Sequence, residues 1–288
     1  MSRNIKENCF VTILVFTAFV FTSSLVAGFL GSLTGLGGGV VIVPLLTLVF
    51  GADIRYAIGA SLVSVIATSS GAASAYVKEG FSNIRIGMFL EMATTVGALL
   101  GTIIAIMVSG SAIAVIFGVV LIYSAYLSIR PHRDQNGMDK PDPLATRLHL
   151  DGAYPSLHGE TTYHVHAVPE GFSLMLLAGA LSGLLGIGSG AVKVLAMDQA
   201  MHIPFKVSTT TSNFMIGVTA AASAGIYLNR GYIDPGLAMP VMLGVLVGSV
   251  MGARLLPISK TKILRLVFGA VILVLGIEMI YNGLTGRF

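Results

Sequence analysis

The sequence predicts an all-α, polytopic membrane protein made of two structural repeats, inverted relative to each other, each opened into half-helices by a glycine-rich break. Three observations predict this. Mean hydropathy is +0.87, with 55% hydrophobic and 10% charged residues, whereas a soluble domain carries about 25% charged residues. Apolar runs long enough to cross a bilayer recur along the chain. The chain also repeats itself at an offset of 151 residues, and residues 28–123 match 179–274 at 20 of 96 positions. That is about twice what shared composition would give, and such self-similarity marks a duplicated architecture.

Taken in order, ten apolar segments run over 10–33, 36–50, 56–77, 86–108 and 111–129, then 171–188, 189–201, 206–228, 236–256 and 262–282. Arg3 and Lys6 precede the first segment. It continues to Leu33 without a small-x-small cleavage pattern, so it reads as a retained helix rather than a signal peptide. Segments 36–50 and 189–201 are too short to cross as helices, at about 20 Å by a rise of 1.5 Å per residue. Each follows a break: Gly35-Leu-Gly-Gly-Gly39 in one half, Gly186-Ile-Gly-Ser-Gly190 in the other. Short interrupted segments at matching positions of two halves point to a binding site near the bilayer midplane.

Residues 1–129 thus form a first transmembrane repeat and 171–288 a second. Residues 130–170 form a polar linker holding five of the ten prolines and five of the six histidines. Within it Tyr163-His-Val-His-Ala-Val168 alternates as a short strand does. With all ten segments crossing, eleven Lys and Arg fall on the linker side and five on the other. That places the linker in the cytoplasm and both termini outside. If the two short segments only dip into the bilayer, the termini join the linker. A multi-pass protein of the cell membrane follows, with the lipid bilayer as its surroundings. The net charge of +4 belongs to loops, and no basic-aromatic interleaving points to nucleic acid. Cys9 is the single cysteine, so no intrachain disulfide forms.

The candidate substrate-binding residues cluster at the breaks. Gly37, Gly38 and Gly39, with Gly188, Ser189 and Gly190, permit unwound backbone and close approach of a ligand. A helix starting after each break leaves free N–H groups that attract anions. Helix–helix packing alone is the competing reading. Lys193 lies three residues past Gly190 among apolar neighbours, and its counterpart is Ile42. It reads as an anion partner or as a snorkelling lysine. Ser61 and Ser212 are equivalent by the offset, and with Asn213 they could hydrogen-bond an oxyanion. The competing roles there are interhelical bonds, with Ser208 and Thr209 capping the helix. Glu91 is the first-half acid best placed for proton coupling, or else an interfacial carboxylate paired with Arg85 or Lys78. His149, His158, His164 and His166 match no standard zinc spacing, so no metal is expected, and nothing calls for a cofactor. G-x-S-x-G, H-E-x-x-H and Walker sequences are missing, which argues against an enzyme and against an ATP-driven pump.

Several stretches resemble one family. Gly28-xx-Gly31-xxx-Gly35-Leu-Gly-Gly-Gly-Val-Val-Ile-Val-Pro44 is similar to the first-half motif of the TauE/SafE sulfite exporters and related anion permeases. Gly179-Ala-Leu-Ser-Gly-Leu-Leu-Gly-Ile-Gly-Ser-Gly-Ala-Val-Lys-Val194 resembles the second-half motif, as do Lys206–Thr219 and Gly244–Arg254. The resemblance covers roughly 20–285 apart from the linker. It implies a secondary transporter of sulfite, an organosulfonate or another small anion, coupled to protons and working by alternating access. The chain departs from the pattern at Ser189, where a third glycine is expected, and at Leu195, where a proline is expected. Ser189 could add a hydroxyl donor. Two other functions stay open from the residues: a cation/proton antiporter using Glu91, or a membrane receptor or scaffold using the His-rich linker.

Overall fold

A computed structural model describes residues 2–34, 38–78, 82–129, 142–156, 159–255 and 261–286. The first half contains α1 (Ser2–Thr34), α2 (Gly39–Pro44), α3 (Ile54–Lys78), α4 (Ile84–Met107) and α5 (Gly110–Ile129). A short α6 (Pro143–Arg147) and the strands β1 (Gly152–Ser156) and β2 (Gly159–Tyr163) follow. The second half contains α7 (Val168–Leu185), α8 (Gly190–Leu195), α9 (Phe205–Asn229), α10 (Pro235–Leu255) and α11 (Thr261–Leu284).

Both half-helices are short and have equal bounds under the offset. Each runs into a five-residue π turn, Leu45–Val49 in one half and Ala196–Ala200 in the other. The turns are closed by matching bonds, Ala52 N–H to Leu46 O at 3.0 Å and Ile203 N–H to Met197 O at 2.9 Å. Wide turns inside helices recur at functional positions. Leu195 ends its half-helix where Pro44 ends the other, so the missing proline changes neither the length nor the turn.

The halves interlock rather than sit side by side. The most extensive packing joins α1 to α10, α4 to α7, α5 to α11 and α3 to α9. Gly244, Gly248 and Gly252 of α10 meet the backbone at Phe21, Leu25 and Phe29 of α1, so these two helices run the same way. Gly179 and Gly183 of α7 meet Thr94 and Ala98 of α4 in the same sense. At Gly97, Gly101 and Gly179, as at Gly28, Gly248 and Gly252, a Cβ would collide with the facing helix. The identities of Gly28 with Gly179, Gly97 with Gly248 and Gly101 with Gly252 therefore have one cause: the same close crossing is made twice. By contrast α5 and α11, equivalent under the offset, run in opposite directions. Gly118 lies against Gly276 and Ile280, and Gly283 against Ser111 and Val115.

The outer faces are apolar. Met88, Met92, Val96 and Ile103 of α4, and Met239, Leu243 and Val247 of α10, are exposed, while the small residues between them are buried. That inside-out pattern suits a lipid surround. Among the described residues four helices, Leu14–Ser32, Ile84–Met107, Val168–Leu185 and Pro235–Gly252, are long and apolar enough to cross a bilayer.

The linker departs from expectation. The alternating stretch 163–168 is not a strand. β2 ends at Tyr163, residues 164–167 are irregular, and Val168 already opens α7 with Pro169 in its first turn. The hairpin instead pairs Gly152–Ser156 with Gly159–Tyr163. Ala145, Leu150, Tyr163 and Val165 are buried against Ile86, Leu90 and Met201, so this part of the linker packs on the helical body. His132 and His158 lie outside the described residues.

Candidate functional site

The glycine breaks meet inside the molecule. A Cβ on Gly39 would lie 2.8 Å from Ser61 Oγ, 2.8 Å from Val65 Cγ2 and 3.2 Å from the Gly186 carbonyl. Gly188 packs between Val65 of α3 and Ile216 of α9. Both breaks therefore converge on the stretch Ser61–Val65. Gly186 and Gly188 have φ of +68°, a region open to glycine at little cost. Gly37 lies outside the described residues. Gly38, Gly39, Gly188, Ser189 and Gly190 are all buried.

The two equivalent serines make equivalent bonds. Ser61 Oγ lies 3.5 Å from the Gly39 carbonyl, and Ser212 Oγ lies 3.4 Å from the Gly190 carbonyl. Ser61 also donates at 2.8 Å to the Gly186 carbonyl, which ties the first half to the second break. In this conformation both hydroxyls reach the first carbonyl of a half-helix, and Ser61 also serves the Gly186 carbonyl just past the end of α7, where a helix leaves acceptors unpaired. Asn213, next on α9, is half-buried. Ser208 and Thr209 cap nothing: α9 begins at Phe205 after Pro204, and Ser208 Oγ donates back to Ile203 O.

Lys193 does not snorkel. It is 0% exposed, one turn into α8. Its ammonium donates to Thr219 Oγ1 of α9 at 2.5 Å and lies 3.9 Å from Glu91 Oε2 of α4. Glu91 is 7% exposed, and its charged partner among the described side chains is Lys193 rather than Arg85; the side chain of Lys78 lies outside the described residues. Its Oε1 accepts from Thr219 Oγ1 at 2.7 Å and from Thr95 Oγ1 at 3.2 Å. Thr219 has one hydroxyl proton. It goes to the carboxylate, where the bond is charge-assisted, and the oxygen accepts from Lys193. Glu91 Oε2 has no hydrogen-bond partner, and neither has Ser189 Oγ. Two opposite charges are thus held inside the protein, each at a desolvation cost of several kcal/mol that only close pairing offsets. An unmatched carboxylate oxygen and an unmatched hydroxyl are left over.

The sequence did not announce Thr219. Its identity with Thr68 under the offset was visible, but its pairing depends on α8, α9 and α4 converging.

Outside the helical body, Asn83 caps α4 through its side-chain oxygen and donates at 2.8 Å to the Tyr163 hydroxyl. Burial pushes the Tyr163 phenol up to about 12, with the Asn83 bond opposing. His164 Nδ1 lies 3.5 Å from Asp151, and His166 packs edge-on against His202. Among the described residues no three His, Cys, Asp or Glu side chains are grouped to hold a metal.

Two broken helices that meet inside an apolar-faced helical bundle, the second of them carrying a buried charge, fit a membrane transporter. The comparisons make it particular. The profile of the family described as Sulfite exporter TauE/SafE matches residues 20–279, and the chain belongs to that family. It is 28% identical over 269 residues to the "Probable membrane transporter protein YunE" of Bacillus subtilis, covering 90% of this chain and 96% of that one. It is 25% identical to YdhB of the same organism, covering 85% and 91%. It is also 25% identical to the probable membrane transporter protein MJ0441 of Methanocaldococcus jannaschii, covering 88% and 92%. No solved structure matches the chain.

Proposed function

We propose that this membrane transporter carries a small anion, sulfite or an organosulfonate, coupled to protons and by alternating access between inverted repeats. The observation that carries the reading is the buried ammonium of Lys193, one turn past the second break. A fixed cation inside the bundle recognises an oxygen-bearing anion. Inversion is supported by α5 and α11, equivalent helices packed in opposite directions. In an inverted pair, exchanging the conformations of the two halves turns an inward opening into an outward one. Gly39, Ser61, Gly190, Lys193 and Ser212 are buried in this conformation. Proton coupling is supported by Glu91, an acid inside the bundle with an unpaired oxygen. A cation antiporter fits less well, because Lys193 places a positive charge beside the only acid of this cluster.

The test is flux of radiolabelled sulfite into liposomes holding the purified protein. Sulfite entry well above that of protein-free liposomes, abolished in Lys193→Gln, is the expected result. Undiminished flux in Lys193→Gln would remove Lys193 from the site.

A further inference from the structure

Resting on that reading, we infer that Glu91 is the internal stand-in for the transported anion: its carboxylate neutralises Lys193 when the site is empty and must take up a proton when an anion takes its place.

The geometry supplies each part. Among the described residues the charged partner of Lys193 is Glu91, and the Thr219 hydroxyl holds its Oε1. Oε2 faces Lys193 at 3.9 Å without any hydrogen bond. The ion pair is therefore held loosely on one side, and that side is where a competitor or a proton can enter. Ser189 Oγ, four residues before Lys193 and also unpartnered, is a second donor free to receive an incoming oxygen. Arg85 lies six residues earlier on α4. By the register of α4 with α7 (Thr94 beside Gly179, Ala98 beside Gly183), Glu170 sits level with Arg85 and not with Glu91. Lys206 opens α9, and Asp198 lies in the π turn beyond α8. Around Glu91 itself α9 and α4 place Thr219, Thr94 and Thr95.

Charge accounting then sets the coupling. The empty site holds Lys193 ammonium and Glu91 carboxylate, net zero. The loaded site holds the ammonium, the anion and a protonated Glu91, again net zero. An anion without the proton, or a proton without the anion, leaves one uncompensated charge inside the bundle. Such a state is too costly to close over. Only the two neutral states switch sides, so one proton travels with each negative charge. Thr219 is a positioning residue: it fixes Glu91 Oε1 so that the proton goes to Oε2.

Glu91→Gln separates this from a structural role. The variant always resembles the protonated state, so its loaded form is neutral and its empty form is charged. It should keep measurable exchange of external for internal anion, yet lose net uptake driven by a pH gradient by at least about tenfold relative to that exchange, because the empty site cannot return. Methanesulfonate serves beside sulfite as probe, since its charge does not change with pH. For the unmutated protein, anion affinity should rise about tenfold for each unit of falling pH while Glu91 is ionised in the empty site. In Glu91→Gln it should be flat. Equal loss of exchange and net uptake in a variant that keeps its unfolding temperature overturns the inference, as does a pH-independent affinity of the unmutated protein. If Glu91→Gln does not fold, the proton count per methanesulfonate decides alone, with one expected and zero overturning. Flux of neither anion by the unmutated protein would sink the anion reading itself, an outcome distinct from uncoupled flux.

Discussion

The two half-helices have the same backbone and opposite contents. α2 and α8 begin four residues after a glycine, span six residues and widen into a π turn at the same place. Yet α2 buries Ile42 where α8 buries Lys193, both fully. The break of α2 enters through Gly38 at φ −65°, while that of α8 enters through Ser189 at φ +44°. The two half-helices share one frame, and the second carries the charge. Ile42 is at home in a bundle core at no electrostatic cost. Lys193 is tolerated only because Glu91 and Thr219, from two other helices, converge on it.

The sharpest way to break this contrast is to make the second half-helix like the first. Lys193→Ile strands the Glu91 carboxylate in the core and should cost about 3–5 kcal/mol of stability, read from thermal unfolding in detergent. Lys193→Ile with Glu91→Leu should recover most of that loss and still carry no sulfite. A double variant as unstable as the single would show that the stranded charge is not the cause.

Next in size is the contact between the breaks. Gly39→Ala would push a methyl to 2.8 Å from both Ser61 Oγ and Val65 Cγ2, a crowding that should cost about 1–3 kcal/mol. Gly51→Ala tests the opposite case: nothing lies near its Cβ, and its φ of +66° leaves only the backbone penalty of about 1 kcal/mol. Unfolding temperatures falling in the order unmutated, Gly51→Ala, Gly39→Ala are expected.

Ser189→Gly equalises the entries to the two half-helices. It relieves a left-handed non-glycine residue and removes an unpartnered hydroxyl, so stability should rise by about 1 kcal/mol. A weaker sulfite affinity in the same variant would assign the hydroxyl to the substrate, and an unchanged one would leave it outside the site. The smallest effect belongs to the hairpin. The Tyr163 phenol, raised to about 12 by burial, favours folding in its protonated form. That contribution is complete below the ordinary value of about 10 and is lost as pH climbs through 12. Tyr163→Phe should remove this alkaline component from the unfolding profile along with the Asn83 bond.

Much of the frame was legible in the sequence. The ten segments, the two breaks and the 151-residue offset rest on local facts: apolar run length and the positions of glycine. The equivalence of Ser61 with Ser212 was legible too, and both turn out to meet the first carbonyl of a half-helix. The linker's strand was misplaced because an alternating stretch such as 163–168 satisfies strand periodicity, while Pro169 and the buried Val168 favour the start of α7. Glu91 was read against its sequence neighbours Arg85 and Lys78, whereas Lys193 and Thr219, which hold its carboxylate, lie more than one hundred residues away.

By itself the sequence determined the membrane class, the duplication, the breaks and the family, since each depends on composition or on order along one chain. Tertiary structure alone decided that α1 pairs with α10 and α4 with α7, that the breaks meet at Ser61, and that Lys193, Thr219 and Glu91 form one cluster. The reason is desolvation. A charge inside a helical bundle survives only beside its opposite, and which opposite is beside it follows from how helices cross, a relation that no local stretch of residues encodes.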